Sequence, residues 1–181
     1  MIKVNFYKGF SLLELLLVLG IVSALIVAAF IVYPKVQSSQ RAEQEAKNIS
    51  AIIAGVESLY AGKADYTGIS EVVLINAKLI PDNMLIGSGS MTQVYNSFKG
   101  IVAVVNASPK GWGIVYDNVP SAECSKISAS LSSRISELYI NNTLVKARYP
   151  TASTTKDFNL AETIKACNDG GEKNRLTMGI Y

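Results

Sequence analysis

From Phe10 to Tyr33 the chain runs apolar for 24 residues, and Glu14 is the one ionisable residue before Tyr33. A helix rises about 1.5 Å per residue, and a hydrocarbon layer about 30 Å thick needs about 20 of them. The run therefore predicts a helix of transmembrane length. After Pro34 the pattern changes. Ala42, Ala46, Ile49, Ile53, Val56 and Tyr60 recur at spacings of three and four, the period of one helical face. Arg41, Glu43, Gln44, Glu45 and Lys47 fall between them and are assigned to the other faces. The reading is one long helix, Phe10 to about Tyr60, apolar all round in its first half and amphipathic in its second. Pro34 predicts a kink or the exit from the membrane.

Beyond Tyr60, Gly62, Gly68, Pro81, Gly87 and Gly89 break the pattern. Ser70 to Asn76 reads as a short helix or a strand. The β-branched and aromatic runs Gly100–Val105 and Trp112–Tyr116 flank Ser108-Pro109-Lys110-Gly111 and predict a hairpin. Pro120 to Glu123 predicts a helix start with Ser121 as the cap, and Ile127, Leu131, Ile135 and Leu138 continue it as one stripe. Leu144 to Tyr149 reads as a strand and Thr151 to Thr155 as a polar loop. Asn159 caps a helix through Ala166, and Leu176 to Tyr181 is a last strand. The fold class is α+β, a long N-terminal helix packed on an antiparallel sheet.

Composition narrows the chemistry. There is no histidine, which excludes Ser-His-Asp and Cys-His catalysis and histidine-bound zinc. No paired-acid or nucleophile motif replaces it, and no cofactor motif is present; Gly87-Ser88-Gly89 lacks the lysine of a phosphate loop. The net charge of +3 owes two units to Lys3 and Lys8. The near-neutral remainder argues against nucleic acid as a partner. Lys146, Arg148 and Lys156 read as a solvated basic face, and Trp112 as core. With Lys3 and Lys8 ahead of the apolar run, the positive-inside rule predicts a cytoplasmic N-terminus and an exported body. In an oxidising compartment the two cysteines, Cys124 and Cys167, read as one disulfide, the alternative being two buried thiols. No small-residue cleavage site follows the apolar run, so a secretory signal peptide does not fit.

Glu14 is the costly residue, because a carboxylate at mid-bilayer costs about 2.5–3.5 kcal/mol, less near an end. The stretch Lys8-Gly9-Phe10-Ser11-Leu12-Leu13-Glu14, with the apolar helix after it, resembles the processing site of type IV prepilins. That resemblance implies cleavage after Gly9 by a dedicated prepilin peptidase and methylation of the new amine on Phe10. It places Glu14 fifth in the mature chain, facing the amine of a neighbouring subunit as a compensated charge pair. It implies residues 1–9 as a leader, 10–33 as transmembrane and later filament-core helix, and 34–181 as amphipathic helix plus globular domain. Leu59–Gly68 and Leu79–Asn83 look like the bodies of type IVb pilins, including bundle-forming and conjugation-plasmid thin pili. The short leader and Phe10 are more usual in the IVa class.

The implied function is that of a structural subunit rather than an enzyme. It is held in the bacterial inner membrane, passed to the inner-membrane assembly machinery, and built with copies of itself into a helical surface filament for adhesion, aggregation or conjugative contact. The alternatives are a minor pilin or a type II secretion pseudopilin. From other classes come a membrane-anchored periplasmic enzyme and a signal-anchored binding module.

Overall fold

The apolar positions of the second half of helix α1, Leu12–Leu59, form the floor of the core. Ala42, Ala46, Ile49, Ile52, Ile53 and Val56 are buried, one or two residues per turn of a helix laid against a sheet. The computed structural model describes residues 11–108, 110–148 and 155–181. Contacts divide the chain into two units, Met1–Gln37 and Ser38–Tyr181. Pro34 lies inside α1.

Above α1 in the second unit lies a five-stranded antiparallel sheet, in the order β3-β4-β7-β5-β6. Its strands are β3 Val102–Ser108, β4 Gly111–Val119, β5 Glu137–Ile140, β6 Thr143–Ala147 and β7 Asn174–Ile180. The short strands β1 Leu85–Ile86 and β2 Gln93–Val94 pair separately. The predicted hairpin is β3–β4, with Val104 opposite Ile114. The last predicted strand is β7, which inserts between β4 and β5. Trp112, Ile114, Tyr116, Leu138, Ile140, Leu176 and Met178 bring side chains from three strands into one core. Trp112 is fully buried, as expected.

The ambiguous segment after Ser70 is helix α2, Glu71–Asn76, because Ser70 Oγ accepts from the Val73 N–H. Helix α4, Leu160–Asp169, starts as expected, with Asn159 Oδ1 accepting from the N–H groups of Ala161 and Glu162. It runs three residues past Ala166, so Cys167 sits within it.

Three expectations are corrected. Helix α3 spans Ser121–Leu131 with Pro120 at the cap position, so Ser121 is its first residue and makes no cap. The stripe that continued through Ile135 and Leu138 leaves the helix at Leu131, and Leu138 belongs to β5. A period of three or four cannot separate a helix from a helix followed by a strand when both bury the same residue types. Third, Lys146 is buried rather than solvated. Its Nζ donates to the carbonyls of Ser132, the residue that caps α3, and of Ile135 in the segment after it, satisfying acceptors that no backbone ladder pairs. Arg148 is exposed as read and pairs with Asp157, whereas Lys156 is half-buried, pairing with Glu162 and donating to the Leu144 carbonyl.

Glu45 also departs from expectation. It lies on the buried stripe, 1 % exposed. Its Oε2 accepts from the Tyr116 hydroxyl at 3.0 Å, and its Oε1 accepts from the Ser97 N–H at 3.0 Å and from the Ser97 hydroxyl. Burial, and then the Glu45 carboxylate, push the Tyr116 phenol well above its ordinary range. A raised folded-state pKa contributes stability that is complete below the unfolded value, about 10, and is lost as pH rises beyond it. Urea titrations of the wild type should therefore show stability falling more steeply above about pH 10 than those of Tyr116→Phe. Lys146, whose pKa burial lowers, titrates in both proteins and cancels in the comparison. Parallel curves would mean that Tyr116 does not carry the alkaline transition.

Candidate assembly site

Among its described residues, the first unit has no core of its own. Every described residue from Ser11 to Val36 is exposed, including Leu13, Leu16, Val22, Ile26 and Phe30. Leu12 to Tyr33 in helical form is about 33 Å long, the thickness of a hydrocarbon layer. The helix is long and apolar enough to cross a membrane. Its backbone is satisfied internally, and the hydroxyl of Ser23 donates to the Leu19 carbonyl at 2.7 Å. Ser23 therefore brings no unpaired polar group into an apolar surround.

Glu14 stands in the first turn of α1, where the Leu15 N–H reaches back to the Ser11 carbonyl at 3.1 Å. The N-terminal turn carries partial positive charge, which favours a carboxylate by about 0.3–1 kcal/mol. It is also the end of the helix nearest in sequence to Phe10. Gly9 and Phe10 themselves lie outside the described residues. An exposed apolar rod with one acid at its tip suits two environments in turn: lipid, and a bundle of like helices. In a bundle the acid requires a cation at the same depth.

The remaining predicted pair is in the second unit. Cys124 of α3 and Cys167 of α4 form a disulfide across 43 positions, with Cα atoms 5.9 Å apart. Both cysteines are fully buried.

A helix leading into a helix-on-sheet body, closed by a disulfide between its last two helices, is the fold of type IV pilins. A type IVb pilin from Salmonella typhi aligns over 75 % of this chain and 97 % of its own, with TM-score 0.57 and 20 % identity. TcpA, a type IV pilin from Vibrio cholerae El Tor biotype, covers 80 % and 99 %, with TM-score 0.54 and 11 % identity. Residues 5–30 match the prokaryotic N-terminal methylation motif, and residues 39–180 match the PilS N-terminal family. The chain belongs to that family and is a type IVb-like prepilin. The major structural subunits of the bundle-forming pilus from Escherichia coli O111:H- and O127:H6 (strain E2348/69 / EPEC) are 22 % and 21 % identical to it. Each alignment spans 96 % of this chain and 94 % of the relative.

Proposed function

We propose that this chain is cut after Gly9, methylated on the amine of Phe10, and polymerised through its apolar helix into a surface filament. The observation that carries the reading is Glu14, the one acid of the apolar half of α1, in its first turn, with every residue from Leu12 to Val36 exposed. Before assembly, bilayer lipid covers that helix, with the N-terminus cytoplasmic and the body periplasmic. In the filament, the same surface of neighbouring subunits covers it. The amine released at Phe10 then meets Glu14 of a neighbour, and two charges each costly in an apolar core compensate one another. Gly9, with no side chain, gives a peptidase close access to the backbone. The names of the Escherichia coli relatives support a major over a minor subunit. Adhesion, aggregation and conjugative contact are the roles open to such a filament.

Intact-mass measurement of the mature chain tests the processing step. The expected result is loss of Met1–Gly9 and gain of one methyl group, with Gly9→Val leaving the uncut precursor. Glu14→Val should leave processing intact and abolish filaments in electron micrographs of sheared cells. Filaments in normal number would remove Glu14 from assembly, whatever the mass result.

A further inference from the structure

The five-stranded sheet ends on β3, which pairs with β4 alone. The Ile101 carbonyl accepts from the Asp117 N–H at 3.1 Å, so the backbone groups of the odd-numbered residues here face β4. Those of Val102, Val104 and Asn106 then face outward; the Tyr95–Ile101 bridge covers the start of that side and leaves Val104 and Asn106 as the open row. Such a row is a template for another strand. β3 suits that use, since Val102-Ala103-Val104-Val105-Asn106-Ala107-Ser108 contains no charge and no proline. Val105, Asn106 and Ala107 are exposed.

The middle of that row is occupied. Glu71 Oε1 accepts from the Val104 N–H at 3.0 Å, across 33 positions of chain. Glu71 opens α2, whose start is set by the Ser70 cap and whose seat is the fully buried Leu74. A carboxylate accepts and does not donate. At Val104 it takes the donor an incoming strand needs and sets a negative charge where that strand's carbonyl oxygens would lie.

We propose that Glu71 guards the β3 edge, holding it closed against antiparallel pairing with β3 of a second copy of this chain. Such a pair would be isologous and closed, whereas a filament grows by head-to-tail contacts. The guard would keep subunits out of that dead end. Only this consequence rests on the filament reading; the guard itself is tested on the unassembled chain.

The experiment uses the full chain in detergent, with near-UV circular dichroism as the check of native packing. In Glu71→Ala, exchange of the Val104 amide should accelerate about tenfold or more. The sedimentation coefficient should rise with protein concentration beyond that of the wild type. Adding Val104→Pro removes the outward donor at an edge position where proline is tolerated, and should return sedimentation to wild-type behaviour. Should the alanine variant lose native packing, Glu71→Asp, one methylene too short to reach Val104, gives the same two readings. Wild-type sedimentation of the Glu71 variant at every concentration would overturn the proposal. So would association that persists in the double variant, since it would place the contact away from β3.

Discussion

Replacing Glu45 with alanine is expected to destabilise the globular unit by about 3 kcal/mol, roughly a hundredfold in the folded-to-unfolded ratio. The loss has three sources. The Tyr116 hydroxyl loses its acceptor inside the core, and the Ser97 N–H loses one in a part-buried contact, on an exposed residue where water replaces some of it. Each buried orphan donor costs about 1–3 kcal/mol. The truncated side chain also leaves a void beneath the sheet, with a further penalty for every atom the neighbours cannot replace. Against these stands the relief of no longer burying a carboxylate, which holds the sum near the lower end. Glu45→Gln keeps the shape and one acceptor oxygen, and should cost less than half as much. Urea midpoints of the three proteins decide the matter. Equal loss in both variants would assign the effect to charge, and no loss in either would mean that the network contributes nothing net.

Glu45 also marks the limit of what the sequence makes legible. Its spacing from Ala42 and Ile49 puts it on the buried face, whereas residue type argues for solvent. What overrides type is the pair Tyr116 and Ser97, 71 and 52 positions away, and no local pattern records such partners. The β5–β6 hairpin was missed for a related reason. Asn141-Asn142 supplies its turn, both residues at positive φ, 49° and 69°, the conformation tight hairpin turns demand. That signal is present, but Asn-Asn without a glycine marks a tight turn less strongly than Asn-Gly does. Residue type alone puts Lys146 in solvent, because the carbonyls that hold it, of Ser132 and Ile135, follow a helix end that the apolar stripe does not mark. By contrast, α1, the β3–β4 hairpin and the Asn159 cap rest on periodicity, turn chemistry and one side chain each, all local. Glu14 stands out for the same local reason: it is the one acid of the apolar half of α1, in its first turn. The Glu71–Val104 contact joins two segments that are unremarkable alone.

Loss of the Cys124–Cys167 link should be the largest single change in stability. It closes a loop of 43 positions, worth about 4 kcal/mol in the chain-entropy model. For the 144 residues from Ser38 to Tyr181, that corresponds to a fall in Tm of roughly 10–15 °C. The bond joins α3 to α4, and β5 and β6 lie between them in sequence, so the loop holds two of the five strands. Reduction of the wild type isolates the covalent link, because it leaves every side chain in place. Cys124→Ala/Cys167→Ala adds the loss of two buried sulfur atoms and should fall slightly further. Both thiols are sealed in the core, so mild reductant should act only at the rate at which the unit opens. The denaturant slope separates the physical causes. If the bond acts on the unfolded chain, the reduced protein exposes more surface on unfolding, and m rises as the midpoint falls. A lower midpoint at unchanged m would place the effect in the native packing of α3 on α4. An unchanged midpoint would leave the bond without a role in equilibrium stability.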